Sequence, residues 1–282
     1  MEKKVCIMGT CRIANLAGVG WDQYVNPFNA GGHSKVYDYY GVKIVTQPIT
    51  YTTKLADTRD ALLYMRGLIY EDKDPNEDET FFNLFFRGLN RSAFTEKKLK
   101  KPGETVYGTD NHYSAYVFEI NSLREILFAT TKYGESYLYK NLPWNIDIGA
   151  HNTLPLEKDD FLMVSPSTER VLHLFQVLQY LCDDKPILIV GPYLLKTDHR
   201  QEEPWGENDV LDPHQYVNQS RKNVQNMLKE VVSHFPSMEY FDMTELIFQH
   251  DDPLLLEQYH FNEYGQYLLT QRVLEFVDKH CR

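Results

Sequence analysis

Five short, mainly apolar runs are spread along the chain, and a glycine, a proline or a polar residue ends each of them. Runs of this length and character are typical of strands that are buried on both faces of a sheet. The pattern predicts five strands, at Lys4–Gly9, Val42–Gln47, Tyr113–Ile120, Pro186–Val190 and Met238–Asp242.

Between these runs, apolar residues recur every three or four positions, which is the period of a helix with one buried face. The predicted helices cover Thr53–Tyr70, Thr80–Arg91, Pro166–Cys182, Pro213–His234 and Asn262–Lys279, and a further helix opens at Arg12. The stretch Asn121–Thr153 shows neither period clearly, and no element is predicted there.

Strands that alternate with helices and are apolar on both faces indicate a parallel sheet with helices on either side. With right-handed crossovers, the expected fold is a three-layer α/β/α sandwich with a parallel sheet of about five strands, of the flavodoxin-like type. We expect a single domain over residues 1–282. The segment near 71–110 is expected to be an insertion that could cap a cleft.

Charge and composition narrow the range of functions. The 282 residues carry 29 Lys+Arg against 40 Asp+Glu, a net charge of −11, so nucleic-acid binding is not expected. No apolar stretch is long enough for a membrane span. The four cysteines lack metal-like spacing, and the start of the chain does not resemble a signal peptide, so a cytoplasmic location is expected. The sequence does not indicate an oligomeric state.

The first candidate for chemistry follows the first strand, because ligands of open parallel sheets bind beyond the carboxyl ends of the strands. Here the sequence is Gly9-Thr10-Cys11-Arg12. A helix start and the neighbouring Arg12 would both favour the thiolate of Cys11, while Thr10 and Arg12 could line the cleft. The alternative is that Cys11 simply fills a tight turn.

The third strand ends in a second candidate group, Glu119-Ile120-Asn121-Ser122. The side-chain N–H of Asn121 could stabilise an oxyanion. An asparagine at this position is also a common turn residue, so both interpretations stay open. Glu119 and Ser122 are further candidates for the lining of the cleft.

A third group stands just before the last predicted helix. Glu257 precedes His260 by three residues, and a carboxylate at that distance can orient an imidazole and stabilise its charged form. Asn262 is the predicted N-cap of the helix. His151 and Asn152 could line the same cleft, although a histidine in this context is more often an ordinary loop residue. No histidine pair has zinc-binding spacing, so no metal site is expected.

These three groups together resemble the sequence blocks of the SGNH/GDSL hydrolases, and more closely the GSCFA-type and capsule-polysaccharide acyltransferase-like relatives. The resemblance implies Cys11 as nucleophile, His260 as base, Glu257 as the acid of the last block and Asn121 as the oxyanion donor. The chain departs from the family pattern in having Cys11 for serine, Glu257 for aspartate and Glu119 for glycine. The glycine expected after the second strand is not evident.

The resemblance implies acyl transfer, by an O-acyltransferase or an ester or thioester hydrolase acting on a small molecule or, more specifically, a carbohydrate or glycan. No cofactor is required for this chemistry, and acyl-CoA is one candidate acyl donor. Two other functions stay open. One is a non-catalytic glycan-binding or interaction protein on a degenerate SGNH scaffold, and the other is a glycosyltransferase-type glycan enzyme.

Overall fold

The structure is a computed structural model that describes residues 3–9, 13, 42–46, 54–65, 113–130, 138–141, 161–194, 218–250 and 261–281. The strands are β1 (Lys3–Met8), β2 (Val42–Thr46), β3 (Ala115–Glu119), β4 (Glu125–Thr130), β5 (Leu138–Asn141), β6 (Phe161–Val164), β7 (Ile187–Val190) and β8 (Met238–Phe241). The helices are α1 (Leu55–Met65), α2 (Thr168–Leu181), α3 (Asn218–Val232), α4 (Met243–Gln249) and α5 (Glu263–His280).

The main sheet has five strands in the order β2-β1-β3-β7-β8, and every neighbouring pair is parallel. The register places Met8 of β1 opposite Phe118 of β3, and Glu119 of β3 opposite Val190 of β7. All five strands that the apolar runs predict are present in this sheet. The predicted α/β class is therefore confirmed.

Two hydrophobic cores lie on opposite faces of the sheet, because successive side chains of a strand point to opposite faces. One core contains Cys6, Met8, Tyr116 and Phe118 and is covered by α1, α2 and α3. The other contains Val5, Ile7, Ala115 and Val117, together with residues of α4 and α5. The result is the predicted three-layer arrangement of helices, sheet and helices.

A second sheet was not predicted. It is antiparallel, has three strands in the order β5-β4-β6, and begins within the unassigned stretch after β3. Two of its strands have only four residues, too few to establish a period of two in the sequence. Arg170 of α2 forms an ion pair with Glu125 of β4 at 3.2 Å, which ties this sheet to the helical layer. The short helix α4 was also not predicted.

The helix α5 follows the third candidate group, and its position is fixed at both ends. Asn262 caps its start, as predicted, since Oδ1 accepts a hydrogen bond from the Gly265 N–H at 2.8 Å. At the other end Glu239 of β8 binds Arg272 at 3.0 Å and also contacts Lys279 and His280.

The charge of Glu239 is maintained by its partners on α5. Burial works to raise the pKa of this carboxyl, but hydrogen bonds and charges from Lys279 and His280 outweigh it and lower the pKa to about 2. Glu239 therefore stays ionised at neutral pH and links α5 to the edge strand of the sheet.

Two of the predictions concern parts of the chain that the structure does not describe. The aromatic helix predicted at Thr80–Arg91 and the insertion near 71–110 lie outside the described residues. Among the helices described, none is both long and apolar enough to cross a membrane.

Candidate active site

The strand order places a crevice between β1 and β3. The strand β2 lies beyond β1 on one side, and β7 lies beyond β3 on the other, so the order of the sheet reverses between the two central strands. In open α/β sheets the ligand site lies at this reversal, outside the carboxyl ends of the strands. Gly9 directly follows β1, and Asn121 follows Glu119 at the end of β3, so the first two candidate groups meet this edge.

Glu119 and Asn121 form a buried pair at this edge. The Nδ2 atom of Asn121 donates a hydrogen bond to Oε1 of Glu119 at 3.0 Å. Glu119 is fully buried, and Asn121 is 9% exposed. Because a carboxylate accepts hydrogen bonds and does not donate them, the nitrogen side of the amide must face Glu119.

The amide of Asn121 has hydrogen-bonding capacity left over. Its Oδ1 atom is buried and has no hydrogen-bond partner among the described residues. A buried acceptor without a partner costs about 1–3 kcal/mol, and such a group in a folded protein calls for an explanation. A hydrogen-bond donor at this edge of the sheet would satisfy this oxygen.

Glu119 also contacts the start of the first candidate group. A Cβ atom on Gly9 would lie 2.6 Å from Cβ of Glu119 and 2.9 Å from its Oε2. It would also lie 3.1 Å from Cβ of Ile13. Glu119 therefore fills the space above Gly9.

This contact predicts a specific effect for Gly9→Ala. The new methyl group meets the Cβ of Glu119, which is fixed by its strand. The free energy of unfolding of the variant is therefore expected to be about 1–3 kcal/mol lower than that of the wild type. Adding Glu119→Gly removes the obstructing atom. The free energy of unfolding can be measured by chemical denaturation of both single variants and the double variant. The decrease in the double variant should be smaller than the sum of the two single decreases by about 1 kcal/mol. Simple additivity would contradict the contact.

A buried ion pair next to this edge was missed by the sequence analysis. Lys54 and Asp57 are both fully buried, and Nζ of Lys54 lies 3.0 Å from Oδ1 of Asp57. Lys54 pairs with Ser122 in an isolated parallel bridge, and the Leu55 N–H donates to the Ser122 carbonyl at 3.1 Å. The spacing of three residues between Lys54 and Asp57 is visible in the sequence. The burial of the pair is not, because it depends on the packing of α1 against the end of β3.

The side chain of Ser122 takes part in the local turn. Its Oγ accepts a hydrogen bond from the Arg124 N–H at 3.2 Å, and the residue is buried. This is the usual way in which a serine stabilises a change of chain direction. Ser122 thus supports the segment that carries Asn121.

The residue that follows the last candidate group is anchored near the end of β7. Phe261 directly follows His260 in the chain, and its ring lies 5.9 Å from the ring of Tyr193, just beyond the end of β7. Phe261 belongs to the same hydrophobic core as Ile13, which lies two residues after Cys11. Residues that flank the first and last groups are therefore buried in one layer of the sandwich.

A polar network fixes the chain where it leaves β7, and it too was missed by the sequence analysis. Nε2 of Gln225 donates to the carbonyl of Pro192 at 2.7 Å and to Oγ1 of Thr244 at 2.6 Å. Nη1 of Arg221 donates to the carbonyl of Tyr193 at 2.8 Å. These bonds from α3 satisfy carbonyls at the end of β7 and hold Tyr193 in position against Phe261.

The remaining predicted site residues lie outside the described part of the chain, so their roles stay predictions. They are Thr10, Cys11, Arg12, His151, Asn152, Glu257 and His260. Within the described ranges, no group of three or more His, Cys, Asp or Glu side chains is arranged to hold a metal ion.

The sequence matches no protein-family model, and a search of curated proteins finds no match. Among solved structures it is similar to a lipase/acylhydrolase from Enterococcus faecalis, with 10% identity, a TM-score of 0.48, and coverage of 99% of this chain and 97% of that one. A family two carbohydrate esterase from Clostridium thermocellum shows 11% identity and a TM-score of 0.40, with coverage of 99% and 64%.

A carbohydrate esterase family 2 enzyme from Myceliophthora fergusii, which carries a carbohydrate-binding domain, shows 11% identity, a TM-score of 0.39, and coverage of 99% and 67%. The architecture of the present chain is established by its own strand pairing. The chemistry of its site has to be argued from its own residues.

Proposed function

We propose that this chain is an acyl-transfer enzyme of the SGNH type, with Cys11 as the nucleophile. The observation that carries the proposal is the position of Asn121. Its buried amide lies beyond β3 at the reversal of the strand order, next to the β1 end from which the chain continues to Cys11. A polar donor at that position is what an acyl-transfer site needs to stabilise an oxyanion.

In the proposed reaction, the sulfur of Cys11 attacks the carbonyl carbon of an ester or thioester. The resulting oxyanion is held by the second N–H of the Asn121 amide and by backbone N–H groups near Cys11. The bond from carbon to the leaving oxygen or sulfur then breaks, and His260 passes the thiol proton to the leaving group. A water molecule or a hydroxyl of an acceptor releases the acyl group from Cys11 in the second half of the reaction.

His260 acts as the base in this proposal, and Glu257 holds it in the right tautomer. Support comes from the anchoring of the residues that follow His260. Phe261 packs against Tyr193 at the end of β7, and the cap at Asn262 fixes the first turn of α5. Phe261, the residue after His260 in the sequence, is therefore held near the end of β7, the strand that pairs with β3.

The acyl donor and the acceptor are proposed by class. A thiol nucleophile is well matched to thioester donors such as acyl-CoA, because exchange of one thiol for another costs little free energy. The acceptor is water or a hydroxyl of a carbohydrate, as the family resemblance implies. Hydrolysis and transfer to a carbohydrate would share the same acyl-Cys11 intermediate. The two reactions differ only in whether water or a carbohydrate hydroxyl releases the acyl group.

The test is a panel of aryl esters and acyl-CoA donors, each assayed with and without oligosaccharide acceptors. The proposal expects donor turnover that follows Michaelis–Menten kinetics, and a rise in turnover with acceptor would identify a transferase. Binding of an oligosaccharide without turnover of any donor would instead support the non-catalytic scaffold. Release of a sugar from an activated glycosyl donor would support the glycosyltransferase alternative.

A further inference from the structure

The residue at which this chain departs most clearly from the family's third block is Glu119. A glutamate here is fully buried at the carboxyl end of the central strand β3, where the family pattern has glycine. Burial of a carboxyl group is costly unless it is hydrogen-bonded, so its presence requires a compensating role. Its Oε1 atom accepts a hydrogen bond from Nδ2 of Asn121 at 3.0 Å.

The geometry points to Glu119 as a positioning residue for Asn121, an inference that rests on the proposed function. An amide side chain can turn by about 180° and present either its oxygen or its nitrogen to a ligand. The carboxylate accepts the Nδ2–H and so excludes the orientation in which Oδ1 would take its place. One N–H is thereby fixed, and the second N–H of the same nitrogen is held in a defined direction.

The contacts on the other side of Glu119 hold its carboxyl group, and with it the amide of Asn121, in a fixed orientation. Its Cβ and Oε2 fill the space above Gly9, so the side chain is confined between β1 and β3. Asn121 itself is 9% exposed. Among the described residues, Glu119 is the partner to which its side chain donates a hydrogen bond. Confinement of a donor before the substrate arrives is the condition under which it stabilises a transition state most effectively.

Loss of the Asn121 amide should change kcat more than KM, because an oxyanion forms only as the reaction proceeds. Loss of Glu119 should act in the same way but less severely, because the amide remains present in a mixture of orientations. A residue that only filled space between two strands would lower stability and would not act through Asn121.

The experiment is a double-mutant cycle on ester turnover with Glu119→Ala, Asn121→Ala and the double variant. We expect Glu119→Ala to lower kcat by about 10- to 100-fold with KM changed less than about threefold, and Asn121→Ala to lower kcat by about 100- to 1,000-fold. In the Asn121→Ala background, Glu119→Ala should change kcat by less than about twofold, since the residue acts through the amide.

Two further variants separate positioning from folding. Glu119→Gln keeps a carbonyl oxygen that can accept the amide N–H, so it should retain kcat within about fivefold of the wild type. The matched control is Glu125→Gln, which removes the charge of another buried glutamate that pairs with Arg170. This control should leave kcat unchanged, and thermal melts of every variant should confirm that it is folded at the assay temperature.

Equal losses of kcat for Glu119→Ala in the wild-type and Asn121→Ala backgrounds would overturn the positioning role while leaving the proposed function intact. A wild-type kcat in the Glu119→Ala protein would do the same. Failure of the proposed function looks different, since the wild type would then turn over none of the donors, or turnover would survive Cys11→Ala.

Discussion

Replacement of Cys11 by alanine is expected to lower the turnover of an ester substrate by about a thousandfold or more, because removal of the nucleophile abolishes the covalent route. The fold should survive, since the core residues of β1 are unchanged. The measurement is kcat for an aryl ester, together with a thermal melt of the variant. Cys11→Ser should keep measurable turnover, because a serine hydroxyl can also act as a nucleophile when a general base takes its proton.

The control for this prediction is Cys281→Ser. The Sγ atom of Cys281 donates to the carbonyl of Ser114 at 3.3 Å, directly before β3 begins and therefore at the opposite edge of the sheet. This variant should turn over substrate at the wild-type rate. Undiminished turnover in the Cys11→Ala protein would remove Cys11 as nucleophile, and a water-based mechanism would then have to be considered.

The second large effect is expected for His260→Ala, which should lower kcat/KM by about 100- to 10,000-fold, the range typical of loss of a general base. Without an imidazole, the thiol of Cys11 has no group to take its proton, so the loss should become smaller as the pH approaches the thiol's own pKa. The measurement is a pH profile of kcat/KM for the variant and the wild type.

His173→Ala is the matched control, because this histidine is exposed on α2, which covers the opposite face of the sheet from α5. It should leave the profile unchanged. A His260→Ala profile that is parallel to that of the wild type would contradict the role of the imidazole as base, even if the overall rate were lower.

The strands were predictable from sequence because they are buried on both faces. A run such as Ile187–Val190 has no polar residue to interrupt it, and its four side chains are all fully buried. The cap of α5 was predictable for a different reason. Asn262 stands just before an apolar periodic segment, and its interaction with the Gly265 N–H depends only on local geometry.

The pairing inside the site could not be predicted in the same way. The contact of Glu119 with Gly9 depends on the register that sets Met8 opposite Phe118, and no local pattern specifies that register. The burial of Lys54 with Asp57 likewise depends on how α1 meets the end of β3. Sequence reasoning placed Asn121 at the carboxyl end of a strand, and only the assembled sheet supplied its partner.

The most direct test of the account is to trap the acyl-enzyme. Protein mixed with an aryl ester and quenched in acid should carry one acyl group, and peptide mass spectrometry should place it on Cys11. The other thiols serve as internal controls, since burial raises the pKa of Cys6, partial burial raises that of Cys281, and Cys182 is buried. Acyl-Cys11 that forms and decays at rates able to support turnover is the predicted result. Turnover with no acyl group on Cys11 at any time would contradict the central claim.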